Sequence, residues 1–445
     1  MRAAGLLDHP FREAYAAKLG ALPGAVNAWV DGLRQSARAV LNMTGLPGPK
    51  TEAWKFTPLG DLAKIPFIPA ALADDVDVRS VPIGVPVIPG AKRIVLVNGV
   101  LRPDLSDPLD DRAGLRIQSF RQALAGDAAS LKDTLGGLAG SGALPLVALN
   151  TAYMADGMVI RAARDAVCGL VHVISIGAAG AEPVAFHPRH MIVLESGAAL
   201  TVVETHVGLP GQIYLANPVT EISLADHASL QRYVAVDEDG EAFHLATTAV
   251  SLAAGATFEG FHLALGGGKV RQEVQAALHG AGANCRINGV YGLSGKTHHD
   301  LTTTVHHLVP RGTSSQLIKG VVDDTSHAVF QGRIHVAHDA QKTDARQLHK
   351  ALFLAKGPQV DCKPELEIFA DDVQCAHGAA TGEIDPAHLF YLMARGIDRD
   401  TARAMLVSGF LEEAVDTIGA EIVRGLFSAS VQNWLSRRAL AQVRP

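Results

Sequence analysis

The chain has 445 residues, of which 48% are hydrophobic and 19% charged, with a formal net charge of −6. Such a length exceeds one ordinary compact core and calls for several domains or one elongated repeat architecture. No run approaches the roughly 20 apolar residues of a membrane-spanning helix, and there is no basic footprint for nucleic acid or an anionic membrane surface, so protein partners are the expectation. Cys168, Cys285, Cys362 and Cys375 are widely spaced without a CxxC pair, which suggests neither a disulfide framework nor a zinc knuckle. Residues 1–20 lack the continuous apolar segment of a signal peptide, and the predicted location is the cytoplasm.

Helical spacing of Phe11, Tyr15 and Leu19 predicts a first helix. Val26, Trp29, Val30, Leu33, Ala37 and Val40 mark the apolar stripe of a second, stopped by Gly45 and Pro47. After a Pro-rich connection over 66–89, Arg93-Ile-Val-Leu-Val97 reads as a short strand closed by the hairpin-turn pair Asn98-Gly99. From about Val159 short β-branched runs alternate with Gly, Ala, Ser and Asp, and one pattern recurs. Its copies are Ile192-Val-Leu194 with Ala198 and Leu200, Ile222-Ser-Leu224 with Ala228 and Leu230, Val250-Ser-Leu252 with Ala256 and Phe258, and Ala276-Ala-Leu278 with Gly282. A leucine spacing of about 28 residues lies inside the window for solenoid repeats. Short strands with a small residue at each corner suit stacked coils with Leu194, Leu224, Leu252 and Leu278 pointing inward; an evenly spaced β-sandwich is the competing reading.

Helix returns at Asp385-Pro386, with Leu389, Leu392 and Met393 as its stripe up to Gly396. Asp398 caps another helix, lined by Ala402, Met405, Leu406, Phe410 and Val415, and Val423, Leu426, Phe427, Val431 and Leu435 continue the theme. The predicted class is therefore mainly β: a right-handed parallel β-helix core over 159–382, a helical region at 1–65, a connecting α+β segment at 66–158 and a helical domain at 383–445.

Specific motifs along this frame resemble a known family. Gly45-Leu46-Pro47 followed by Glu52-Ala-Trp54-Lys55-Phe56-Thr57 is similar to a GLP…EAWKYT signature, with Phe56 where Tyr is usual. Asn150-Thr-Ala-Tyr-Met-Ala155-Asp156-Gly157, Phe330-Gln331-Gly332-Arg333-Ile334 and 339–344 match further motifs. The most specific block is Lys363-Pro364-Glu365-Leu366-Glu367-Ile368, Ala370-Asp371-Asp372-Val373, Cys375-Ala376-His377-Gly378-Ala379, Leu389-Phe390-Tyr391-Leu392 and Ala394-Arg395-Gly396-Ile397. Ala376 stands where the family often has Ser, and Ala380 is interposed before Thr381. Together these resemble the SufD-type branch of the SufB/SufD family, scaffold subunits of the SUF iron–sulfur cluster assembly machine. The resemblance implies pairing with a SufB-like subunit and docking of a SufC-like ATPase through the C-terminal helices, where Phe390, Tyr391, Arg395, Gly396 and Phe410 are candidate contacts. It also implies a transient cluster at a shared subunit interface near Cys375 and His377, none stably bound to the isolated chain, and no hydrolysis by the chain itself. A homodimer of the chain alone stays open.

The residues themselves permit that chemistry. Iron accepts thiolate and imidazole, and Cys375 and His377, two apart on an extended backbone, point the same way. Two donors do not complete a cluster site, which usually takes four, so a cluster here must be shared or transient. Thr297-His298-His299-Asp300 and Val305-His306-His307 invite a metal reading, but adjacent strand residues face opposite sides, and a polar coil surface explains the runs without metal. On that reading His306→Ala and His307→Ala do no harm. Cys168, Cys285 and Cys362 read as buried small residues. Glu365 with Glu367, and Asp371 with Asp372, could serve as paired carboxylates, yet solvated strand edges account for them. Gly266-Gly267-Gly268-Lys269 is followed by Val270 and reads as a flexible turn rather than a phosphate-binding loop. A carbohydrate-active β-helix enzyme is the runner-up function.

Overall fold

From Met158 to Glu383 the chain winds into a parallel β-solenoid of about eight turns. Each full turn contributes one strand to each of two facing sheets, and each strand pairs in parallel with those one turn before and after it. One sheet carries Val219–Leu224, Phe243–Leu252, Lys269–Leu278, His298–His307, His327–Val336 and finally Gln359–Ile368. The other carries Ser229–Asp237, Thr257–Ala264, Asn284–Leu293, Thr313–Val322, Asp344–Phe353 and finally Gln374–Glu383. The computed structural model describes residues 11–16, 19–48, 50–70, 84–109, 111, 113–142 and 144–443. The signal-peptide reading of 1–20 falls partly, and the middle of the Pro-rich connection wholly, outside the described residues.

Register explains the leucine repeat. Leu224 pairs with Leu194 and Leu252, and Leu252 with Leu278, so one inward column is leucine over four turns, at 1%, 2%, 0% and 0% exposure. The sandwich reading is excluded by this parallel pairing. Two details differ from expectation. Most coil strands run eight to ten residues rather than staying short, because the solenoid is flattened into two faces with tight corners between them. The small residue of the fourth copy is Ala283, not Gly282: Asn284 pairs with Thr257, which sets Ala283 opposite Ala256, and Gly282 at φ +72 makes the corner. The hairpin reading holds, with Asn98 and Gly99 at φ 50 and 76 between strands Lys92–Val97 and Val100–Leu101.

Helices cover both flanks. On the N-terminal side lie α1 (Phe11–Ala16), α2 (Ala28–Thr44), α3 (Phe120–Asp127) and α4 (Pro145–Tyr153). Phe11, Tyr15, Leu41 and Tyr153 form a common core with Ala185, Leu215 and Leu245 of the first sheet. Val26 precedes α2 and is fully exposed, and the helix buries Arg34 instead, whose guanidinium donates to Pro23 O at 2.6 Å and Met154 O at 2.8 Å. On the C-terminal side follow α5 (Pro386–Ala394), α6 (Arg399–Val415) and α7 (Glu421–Val443). Asp385 and Asp398 cap α5 and α6 through Ala387 N and Thr401 N. Val407, Leu411, Val423, Phe427, Val431 and Trp434 pack on Tyr233, Phe261, Leu263, Val290 and Val321 of the second sheet's outer face. Met405 is half-exposed, since the stripe that α6 buries runs through Ala402, Val407, Leu411, Ala414 and Val415. No helix among the described residues is long and apolar enough to cross a membrane.

Candidate functional site

The last coil is where the solenoid ends uncovered. Gln359–Ile368 pairs only with His327–Val336, and Gln374–Glu383 only with Asp344–Phe353. Both terminal strands thus keep an outer edge whose backbone groups have no strand partner among the described residues. Side chains alternate along Asp344–Phe353, with Ala345, Gln347, His349 and Ala351 buried inward. Cys375 pairs with Ala345 and His377 with Gln347, so both continue inward columns, but no further coil among the described residues closes over them. Cys375 is half-buried against Ile334, Ala345 and Leu366, while His377 is exposed.

Cys362 occupies an inward column of the facing sheet, paired with Phe330 and half-buried beside Tyr291 and Val360. The sequence reading of it as simply buried misses that it borders the same mouth. Cys285 is the fully buried one, and Cys168 is half-buried near the opposite end. Burial pushes the Cys362 thiol up to about 11 and raises that of Cys375. Both are therefore protonated near neutral pH, so iron binding to either would release a proton. Among the described residues no three His, Cys, Asp or Glu side chains stand close enough to hold a metal ion.

The histidine runs lie elsewhere, and their expected surface placement is corrected. His298, His299 and His307 are 9%, 5% and 0% exposed. His298 contacts Thr57 Oγ1 at 3.1 Å and His327 Nδ1 at 3.2 Å, and His307 Nε2 lies 2.9 Å from Ser314 Oγ. His299 and His307 pair with Val270 and Leu278 and so turn into the solenoid interior, while outward His298 is covered by Thr57 of the 52–57 segment, so His307→Ala is not a harmless change. The carboxylates are neutralised where they stand: Arg333 bridges Glu365 at 3.2 Å and Glu367 at 3.7 Å, and Lys363 reaches Glu365 at 3.3 Å. The triple-glycine turn is close-packed rather than flexible, because any Cβ at Gly268 would collide with the Gly240 carbonyl.

Motifs distant in sequence meet beside the mouth. Trp54 is buried with the Arg271 guanidinium 4.1 Å from its ring centroid, and Thr57 donates to Asp300. Glu52 holds Lys363 at 3.0 Å, and the Ala53 carbonyl accepts from Gln331 at 3.4 Å. The 52–57 segment thus straps the last coils from outside. Asn150 is likewise architectural, donating to Pro188 O and Asn217 O at 2.8 Å.

Of the proposed partner contacts, Phe390 and Tyr391 are 73% and 55% exposed on α5, with the Arg395 guanidinium 4.5 Å from the Tyr391 ring centroid and Gly396 ending the turn at φ +87. Phe410 is separated from them, half-buried on α6 with the Lys319 ammonium 4.4 Å from its ring centroid. Between α5 and the solenoid lies a hollow of ≈ 560 Å³ lined by Leu354, Ile384, Leu389, Phe390 and Met393, with Arg399 and Arg403 also on its wall.

Comparison with known proteins agrees with this architecture. The family description "SUF system FeS cluster assembly, SufBD core domain" matches residues 176–410, and "SufBD protein N-terminal region" matches 8–169. The iron–sulfur cluster assembly protein SufD of Escherichia coli is 31% identical over 416 residues, covering 91% of this chain and 96% of its own. The SufBD family protein slr0076 of Synechocystis is 29% identical, covering 88% of each chain, and the chloroplastic protein ABCI7 of Arabidopsis thaliana is 34% identical, covering 52% of this chain and 49% of its own. With a family match over more than half its length and a SufD relative aligned almost end to end, the chain belongs to the SufB/SufD family of iron–sulfur cluster assembly proteins, on its SufD-like side.

Proposed function

We propose that this chain is a non-catalytic cytoplasmic scaffold that pairs through its last coil with a SufB-like subunit, carries a SufC-like ATPase on its C-terminal helices, and shares a transient iron–sulfur cluster at the subunit junction. The observation that carries this reading is the uncovered last coil. Two edge strands there offer N–H and C=O groups that have no strand partner among the described residues, and Cys375 and His377 lie in columns that a strand of another chain would extend. The cluster is cargo: Cys375 and His377 would each give one donor, and the partner would supply the rest. For the ATPase, the exposed Phe390 and Tyr391 beside an apolar hollow form an aromatic anchor of the kind that dominates binding energy at interfaces. The chain alone should turn over no ATP.

The test is co-expression with the SufB-like and SufC-like partners, measuring subunit ratio, melting temperature, iron and sulfide. His377→Ala is expected to keep the complex and its melting temperature while cluster content is lost. Normal cluster content in that variant would defeat the assignment of the site, and dissociation of the complex would make His377 a structural contact instead.

A further inference from the structure

The inward column that ends at His377 is polar for two coils beneath it. Gln316, Gln347 and His377 share one register position on successive strands, which stacks them at a strand spacing of about 4.8 Å. Gln316 is 3% and Gln347 2% exposed. Gln316 is anchored through its Oε1, which accepts from Thr303 Oγ1 at 2.7 Å, although its Nε2 has no hydrogen-bond partner among the described residues. Gln347 is not: among the described residues neither its Nε2 nor its Oε1 has a hydrogen-bond partner. Its carboxamide reaches across the interior over Gly332, where any Cβ would collide with Nε2, so the facing strand leaves room for it. A buried carboxamide with both ends unpaired costs stability that an isosteric apolar side chain would not. In the column, this carboxamide lies between the unpaired Gln316 Nε2 below, which can donate to one lone pair of Oε1, and the exposed imidazole of His377 above, which can donate to the other.

We propose that Gln347 is a positioning residue for His377, its carboxamide hydrogen-bonding one ring nitrogen so that the other faces the mouth of the solenoid. With Oε1 accepting from the ring N–H, the remaining nitrogen keeps its lone pair for iron, which is how supporting groups usually orient imidazole donors. The inference rests on the reading of His377 as a donor to the shared cluster. Gln347→Met removes the hydrogen bond at nearly constant volume. The imidazole 15N resonances of His377, assigned by difference with His377→Ala, are recorded in the full chain at about pH 8, where an ordinary imidazole is neutral. The expected result is a shift from one dominant tautomer towards a mixture, with an unchanged or higher melting temperature and a severalfold fall in iron and sulfide in the co-expressed complex. Unchanged 15N resonances overturn the proposal. Normal cluster content in the Gln347→Met complex overturns it as well, as does a lowered melting temperature with unchanged resonances, which marks a purely structural glutamine. Normal cluster content in His377→Ala would instead remove the reading of the site while the hydrogen bond stood on its spectrum.

Discussion

The middle coils and the last coil share strand length, register and inward alternation, yet they differ in what lies above them. In the middle, Leu224 sits between Leu194 and Leu252 and is sealed. At the end, Cys375 and His377 occupy equivalent inward columns with one neighbour each. One geometry therefore yields core in one place and a half-buried thiol beside an exposed imidazole in another, and the difference is the lack of a further coil among the described residues rather than a special local conformation. A solenoid terminus needs a cap, and the proposed pairing with another chain would supply one here.

The comparison can be broken first by acid. Burial pushes the imidazoles of His187, His190, His299, His307 and His349 down to about 4, and that of His262 to about 3. In the unfolded chain they titrate near 6.5, so between those values the unfolded state binds more protons. Their stabilising effect is complete above about pH 6.5 and is lost as the pH falls towards 4, at about 1.4 kcal/mol per pH unit for each group. Denaturant midpoints should therefore drop steeply from pH 7 to pH 5; a flat profile would show that these side chains are not sealed in the core.

Leu224→Ala should cost about 2–5 kcal/mol by cavity formation in the sealed column, whereas Cys375→Ala at the open end should cost about 1 kcal/mol or less, both read by urea unfolding. Similar losses would erase the distinction between the two regions. His307→Ala, which opens a buried site and orphans Ser314, should lose about 1–3 kcal/mol, and His306→Ala, half-buried, should lose clearly less. Smallest of all, Phe390→Glu should change stability by no more than about 0.5 kcal/mol because Phe390 is 73% exposed on a helix with no fully buried residue, while co-purification of the ATPase partner is lost. Retained co-purification would place that partner elsewhere.

Several features were legible because their causes are local. The Asn98-Gly99 turn, the Asp385 and Asp398 caps and the i, i+2 relation of Cys375 to His377 each depend on a few adjacent residues, and the leucine repeat on a period that survives small changes in coil length. Burial of the histidines was not legible, since which of two adjacent histidines turns inward depends on register, as for His299 and His307 opposite Val270 and Leu278, and outward His298 is covered by Thr57 from a segment far away in sequence. Phe410 shows the same limit: apolar spacing on α6 identifies a helix face, and only the fold shows that this ring is half-buried beside the Lys319 ammonium.

Sequence alone determined the β-solenoid, its helical flanks and the residue types able to meet iron, because alternation, repeat length and capping chemistry act within a few residues or one turn. Only the tertiary structure decided which columns meet. One additional residue in the corner before Asn284 shifts the alignment from Gly282 to Ala283. Register accumulated over the coils then brings Gln347 beneath His377 and Cys362 to the same open mouth. Such stacking depends on the summed lengths of all the coils between, a non-local quantity that no single motif contains.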